Sequence, residues 1–411
     1  MVRVIIHCAS FEAARAVAEE IARMGGRVIA IGRLSPYVVA DVPQGALAMV
    51  FSMSGVTRIE RDVEFTTQQV REQQRFFRGR VTTTMEIARA LNLPDVWSTG
   101  YDGKGIKVAV IDGGIDASHP ALRGRIVERI DVTGEGRPSV HGTHVAGIIV
   151  AEPGEYGGYE LAGMAPGASI IDVKALTSGG RGRLSDVIRA IEVAVERGAK
   201  VINMSLGAPI ECCFSTIRDV LARATEMGVI PVVAAGNYGP GKGTVACPAC
   251  IPEVIAVGSI GLNVCRDQPA WFSSRGPGCF YSIKPDVSAY GGAGDMYGDQ
   301  QPIERVASTG LNGSVVAMRG TSMATPVVAG IMALVAQAHP GLDIGRAKAI
   351  VQRLSVDVWV SGPDNDTGYG KPDPATWISG AGRVTPVTTK KIGKGLLALL
   401  AIGGLCVVSG K

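Results

Sequence analysis

Three residues of complementary chemistry lie far apart in this chain, each where a regular element begins or ends. Asp112 closes the short apolar run Val108-Ala109-Val110-Ile111, which reads as a buried strand. His141 stands at the mouth of a helical stretch, His141-Gly142-Thr143-His144-Val145-Ala146-Gly147. Ser322 lies in the turn Arg319-Gly320-Thr321-Ser322-Met323-Ala324-Thr325-Pro326, ahead of an apolar helix expected over 327–338. A serine hydroxyl is too weak an acid to attack a carbonyl unaided at neutral pH. A histidine within hydrogen-bond reach takes its proton, and a carboxylate orients that histidine. Taken alone, Ser322 reads as an ordinary helix cap, because a helix start offers free N–H groups and the positive end of the dipole. Pro326 is expected in the first turn, where a missing N–H costs nothing. Two histidines, His141 and His144, compete for the role of base, and spacing alone does not choose between them.

These stretches and their neighbours resemble the subtilisin-like serine proteases (subtilases). The likeness rests on Val110-Ile111-Asp112-Gly113-Gly114-Ile115-Asp116 with Ser118-His119-Pro120, on the His141 motif, and on Gly320-Thr321-Ser322-Met323-Ala324-Thr325-Pro326. Ser205-Leu206-Gly207 and Ala234-Ala235-Gly236-Asn237 add to it, and the match runs over about 93–378. Three ordered motifs are specific where any one alone is weak.

The resemblance implies an endopeptidase that hydrolyses peptide bonds through an acyl-enzyme. Ser322 is then the nucleophile, His141 its base, Asp112 the orienting carboxylate, and His144 a packed histidine. Asn237 and the Ser322 N–H form the oxyanion hole. Ser205-Leu206-Gly207 is the edge to which an extended substrate adds as a strand. The first specificity pocket has walls of Leu206-Gly207 and Ala235-Gly236 with Ala246 at its base, and Leu184 lines a more distal pocket. None carries a charge, so a large apolar residue before the scissile bond is expected. The chemistry requires no cofactor. The family's usual calcium site looks degraded: Ala121 stands where relatives supply a carboxylate, and the loop 152–161 lacks their asparagine, so the usual tight calcium site is not expected. A different structural calcium site on Glu152, Glu155 and Glu160 and a solvated acidic loop are the open readings.

Bulk properties bound the remaining possibilities. At 411 residues, 46% hydrophobic and 19% charged, the chain suits one large globular domain plus a small one. A net charge of +4 without an aromatic–basic stripe argues against nucleic acid. A monomer is expected. The first residues read as a strand rather than a secretory signal, so a cytoplasmic or membrane-associated location is expected, with export still open. Residues 395–409 are uncharged and follow Lys390, Lys391 and Lys394. A membrane anchor and a helix packed on the protein surface are both open readings of that segment.

The elements that must position the site follow a clear order. Residues 1–64 read as a ferredoxin-like β-α-β-β-α-β unit, with strands at 2–8, 27–31, 37–42 and 56–62 and helices at 11–24 and 44–53. Ahead of a subtilase domain, the resemblance makes this unit an inhibitory propeptide. Residues 65–92 hold the processing linker, polar over 66–80, and the start of the mature chain. A catalytic domain over 93–378 follows, then a linker (379–394) and the apolar segment. Strands near 106–111, 169–173, 200–204, 229–234 and 254–259, with helices between them such as 184–197, predict an α/β three-layer domain around a mostly parallel sheet. Asp112, Ser205 and Asn237 fall at the carboxyl ends of those strands, where such sheets bind ligands.

Eight cysteines complete the inventory. Cys212-Cys213 is expected near Cys247 or Cys250 as one or two disulfides, a four-cysteine zinc site or buried thiols. Cys265 and Cys279 are candidates for a further bridge.

Overall fold

In the N-terminal unit, short apolar strands alternate with helices. The computed structural model describes residues 1–68, 79–210, 212–213, 215–294 and 303–387. The apolar segment 395–409 and most of the polar linker lie outside the described residues. β1 (Val2–Cys8), α1 (Phe11–Arg23), β2 (Arg27–Ile31), β3 (Tyr37–Val42), α2 (Leu47–Phe51) and β4 (Val56–Arg61) keep the order read from the sequence. The strands form one antiparallel sheet ordered β2-β3-β1-β4. Ser10 caps α1 by accepting from the Ala13 N–H at 3.1 Å, and Ala14, Val17, Ala18 and Ile21 are buried. Strand alternation then divides β1: Val4 and Ile6 pack with α1, while Ile5 points away into the core of the larger unit that follows.

The stretch expected as a linker carries two strands. β5 (Glu64–Thr67) has a single fully buried apolar side chain, Phe65, which is why its composition resembles a loop. β6 (Gly79–Thr83) pairs in parallel with residues 303–307. A capping box at Thr83 and Glu86 then starts α3 (Thr84–Ala90), followed by α4 (Leu93–Ser98).

The larger unit continues with β7 (Lys107–Asp112), β8 (Ile126–Asp131), α5 (Val140–Val150), the hairpin β9 (Gly154–Tyr156) and β10 (Tyr159–Leu161), and β11 (Ser169–Lys174). β12 (Arg181–Arg183), α6 (Leu184–Glu196), β13 (Val201–Met204), β14 (Leu206–Gly207), α7 (Thr216–Glu226), β15 (Ile230–Ala234), β16 (Ile255–Ile260) and β17 (Val287–Tyr290) come next. β18 (Ile303–Thr309), β19 (Val315–Met318), α8 (Thr321–Ala338), α9 (Ile344–Leu354) and α10 (Pro374–Gly380) complete it. Seven strands form one parallel sheet in the order β17-β16-β15-β13-β7-β11-β8. Alternate residues of β7 serve opposite layers. Val108 and Val110 pack with α5 and α8, whereas Ala109 and Ile111 pack with α6 and α7. Both faces are covered, which explains why these strands read as unbroken apolar runs.

The N-terminal unit docks on α6 and α7 through carboxylates at the helix starts. Asp62 accepts from the Ser185 N–H at 2.9 Å and from its hydroxyl at 2.8 Å. Glu60 does the same at Thr216, at 2.9 and 2.8 Å. Neither helix has a side-chain cap from its own N-cap residue, so these acids fill vacant positions and complement the dipoles. Glu192 of α6 reciprocates, accepting from the N–H groups of Arg33 and Leu34 at 2.7 and 2.9 Å and from the Tyr37 hydroxyl at 2.9 Å.

Candidate active site

Asp112 ends β7, and its carboxylate accepts from the Gly113 N–H at 2.6 Å. Ser139 caps α5 by accepting from the Gly142 N–H at 2.8 Å, which sets His141 in the first turn, facing Asp112. His141 Nδ1 lies 2.8 and 3.0 Å from the two Asp112 oxygens. The carboxylate offers only acceptors, so Nδ1 carries the proton and the Nε2 lone pair is left free. Nε2 is buried and has no partner among the described residues. Such an imidazole is a base waiting for a proton.

His144 has a different environment. Its Nε2 donates to the Val306 carbonyl at 2.9 Å, and full burial pushes its pKa down to about 3, so it stays neutral. The two histidines that spacing could not separate are distinguished by their partners.

Helix α8 begins at Thr321, six residues before the expected start, and Pro326 therefore lies in the second turn. In a regular helix the N–H of residue 326 would serve the Ser322 carbonyl, and proline has none. The Ser205 hydroxyl replaces it, donating to that carbonyl at 2.9 Å. Ser322's own N–H, one of the orphan donors of a helix start, points outward and donates to the Gln68 carbonyl at 3.0 Å. The Ser322 hydroxyl donates to the Ser205 carbonyl at 2.9 Å. It is turned to that carbonyl rather than to His141.

Asn237 follows β15, and its Oδ1 accepts from the Thr321 N–H at 3.0 Å and the Thr321 hydroxyl at 3.1 Å. Fixing Oδ1 fixes the amide's orientation, leaving Nδ2 buried and without a partner among the described residues. Unlike the Ser322 N–H, which Gln68 engages, this donor is unpaired. The sequence pattern marked Asn237 but not its anchor, Thr321, whose adjacency to Ser322 was the available signal.

β5 occupies the cleft as the central strand between β12 and β14, antiparallel to both. Of the segment Ser205-Leu206-Gly207, expected to pair with an extended substrate, Leu206 and Gly207 pair here with β5. The Thr67 N–H donates to the Gly180 carbonyl and the Gln68 N–H to that of Ser205, each at 3.1 Å. Phe65 shares an apolar cluster with Leu184, the residue expected at a distal pocket; burying such a ring contributes roughly 1.5–3 kcal/mol. The Gln68 side chain enters the pocket expected from Leu206-Gly207, Ala235-Gly236 and Ala246. A Cβ on Gly207 would stand 3.2 Å from the Ala246 Cβ and 3.5 Å from Gln68 Nε2, so glycine leaves the opening clear. Gly236 has φ +109, and a Cβ there would meet the Ala246 Cβ at 3.0 Å. None of the residues named around the Gln68 side chain carries a charge. The pocket's occupant, however, is an amide rather than a large apolar group.

The cysteines pair as Cys212–Cys247 and Cys213–Cys279. Cys279 is thus bridged to Cys213, not to Cys265, which is exposed. The bridges tie the segment before α7 to the loop beside the first pocket, with the Cys250 sulfur 3.4 Å from that of Cys212. In the loop 152–161, Glu152 pairs with Arg125 at 3.1 Å and Glu160 with Arg89 at 2.8 Å. Ala121 is buried, and its N–H donates to His119.

A seven-stranded parallel sheet covered by helices on both faces is a subtilisin-like fold. The chain belongs to the subtilases: the model described as Subtilase family matches residues 103–370. Among relatives, Subtilisin E of Bacillus subtilis (strain 168) is 40% identical over 256 residues, which is 61% of this chain and 60% of that protein. Serine protease AprX of the same organism is 35% identical over 289 residues, covering 65% of each. The fold also resembles fervidolysin from Fervidobacterium pennivorans, a keratinolytic enzyme related to subtilisin. There the TM-score is 0.72 at 22% identity, covering 95% of this chain and 62% of that one. The chain spans about 60% of the length of the curated subtilisins it matches.

Proposed function

We propose that the protein is a serine endopeptidase, made as a self-inhibited precursor, that hydrolyses protein or peptide substrates through an acyl-enzyme. The observation that carries this reading is the buried Asp112–His141 pair at 2.8 Å, with Nε2 unpaired among the described residues, on α5, which packs against α8, the helix that opens with Thr321-Ser322. The Ser322 hydroxyl swings from Ser205 to His141 and attacks the carbonyl carbon while Nε2 takes its proton. Asp112 stabilises the imidazolium that forms. The developing oxyanion is held by the Ser322 N–H and Asn237 Nδ2. His141 returns the proton to the leaving amine, and water then repeats the sequence on the ester. No cofactor enters these steps.

Residues 1–64 act as folding assistant and plug, and the strand that follows occupies the substrate path. Support comes from the caps that Asp62 and Glu60 place on α6 and α7. The pocket favours an uncharged side chain before the scissile bond. An apolar residue fits its walls, and an amide fits its polar atoms.

Expression of the full chain beside a Ser322→Ala variant tests the reading. Loss of an N-terminal piece of about 65–85 residues, judged from the domain boundary, is expected from the wild type alone. An intact wild-type chain without peptidase activity at any pH or temperature tried contradicts it.

A further inference from the structure

We propose that the bond cut during self-processing joins Gln68 to Gln69, and that the first pocket reads the glutamine side chain through its amide. This rests on the endopeptidase reading above and adds the bond and the specificity to it.

Backbone register is the first argument. β5 pairs with two strands at once: Thr66 lies opposite Arg181 and Gly207, and Thr67 opposite Leu206. The Gln68 N–H reaches the Ser205 carbonyl at 3.1 Å, and the Gln68 carbonyl receives the Ser322 N–H at 3.0 Å. That carbonyl therefore engages one of the two proposed oxyanion donors, the Ser322 N–H, and leaves Asn237 Nδ2 unengaged. A slip of one residue would turn every side chain of the strand to the opposite side. Phe65, fully buried among apolar residues including Leu184, would leave its site, and Gln68 would leave the pocket. A slip of two would keep the facing but replace the Phe65 ring by the smaller side chain of Val63 or Thr67. Either one leaves a void where the ring now packs.

Side-chain chemistry is the second argument. Gln68 is 3% exposed. Its Nε2 donates to the Gly207 carbonyl at 3.1 Å and to the Thr66 carbonyl at 3.2 Å, with the Tyr238 hydroxyl at 3.4 Å. Its Oε1 accepts from the Asn237 N–H at 3.3 Å. An amide supplies both the donors and the acceptor that this arrangement asks for. Leucine would leave the Gly207 carbonyl and the Asn237 N–H without those bonds, and glutamate would set a carboxylate oxygen against the Gly207 carbonyl. Tyr238, which the motif reading passed over, is thereby a specificity-determining residue.

The step balances with water as the only co-reactant. Ser322 Oγ bonds to the Gln68 carbonyl carbon, and its proton passes to His141 Nε2. The C–N bond to Gln69 breaks, and the amine leaves with that proton. Water, deprotonated by His141, then releases Gln68 as a carboxylate and restores the Ser322 hydroxyl. Residue 69 becomes the new N-terminus.

The test is the intact mass of both fragments released by the full chain, because an N-terminal glutamine cyclises and blocks sequencing. The expected pieces are residues 1–68 and the chain from 69, with none from Ser322→Ala. Processing of Gln68→Leu and Gln68→Glu is expected to slow at least about tenfold, the loss of roughly one hydrogen bond to a buried group. Peptide libraries supply an independent measurement, with Gln before the cut favoured about tenfold over Leu on the same ground and Tyr238→Phe narrowing that margin. Fragments ending elsewhere, or indifference to the residue at 68 and in the peptides, overturn the proposal while the endopeptidase reading stands. An uncut chain whose Ser322 no fluorophosphonate labels overturns both.

Discussion

Ser205 and Ser322 are bonded to each other twice: the Ser322 hydroxyl donates to the Ser205 carbonyl, and the Ser205 hydroxyl donates to the Ser322 carbonyl, both at 2.9 Å. The second bond satisfies a carbonyl that Pro326 cannot serve. Ser205→Ala should therefore leave a buried carbonyl unpaired and lower stability by about 1–3 kcal/mol. Chemical denaturation measures this; an unchanged midpoint would mean that water or another donor replaces the hydroxyl.

Asp112 holds His141 by its Nδ1 proton, leaving Nε2 as the base. Asp112→Asn presents an amide N–H to the ring and favours the wrong tautomer. A fall in kcat of about 10⁴-fold with KM nearly constant is expected. Steady-state kinetics on a peptide ester or amide would reveal it, and a loss confined to KM would place Asp112 in binding instead.

Asn237→Ala removes one oxyanion donor. Removing such a donor from a subtilisin itself costs about 100- to 1,000-fold in kcat, and family membership carries that magnitude over. Because Thr321 fixes the Asn237 carboxamide through two bonds, Thr321→Val should produce a smaller loss in the same direction. Equal kcat for wild type and Asn237→Ala would remove the residue from the mechanism.

Much of this site was legible in the sequence because its residues stand at the ends of elements with plain signatures. Asp112 closes an apolar run, and Asn237 follows another. The parallel order of the sheet followed from strands buried on both faces. Gln68 was hidden for the opposite reason. Its strand is polar, takes its partners from segments more than a hundred residues away, and looks like a linker when read locally. The start of α8 was misplaced because Pro326 suggested a first turn, whereas Ser205 makes a second-turn proline tolerable. Cysteine pairing depends on three-dimensional proximity, so spacing could not separate Cys213 from Cys265 as the partner of Cys279.

His144 predicts an acid-sensitive component of stability. Its folded pKa is pushed down to about 3 from an ordinary 6.5, so between those values the unfolded chain takes up a proton that the folded chain refuses. Stability should fall as pH drops below 6.5, by up to about 1.4 kcal/mol per pH unit from this group. Asp172, raised by burial to about 6 from 3.8, acts with the opposite sign between those values. The difference between wild type and His144→Asn across about pH 4–6.5 therefore carries the test, and the variant should show the shallower loss on acidification.

Asp286 sits between two buried lysines, with Lys284 and Lys348 each 2.6 Å from one of its oxygens. Asp286→Asn would leave the lysines' charges uncompensated, at a cost of about 3–5 kcal/mol. Thermal denaturation should register a large fall in Tm; a change within error would show that the lysines shed their protons without penalty.

The most direct test of the central claim is stoichiometric labelling by a fluorophosphonate, with the modified residue located by peptide mass. After removal of the N-terminal unit, one label per chain is expected, on Ser322, with a greatly slowed reaction in Asp112→Asn. Absence of label on the freed domain, or label on a residue other than Ser322, would contradict it.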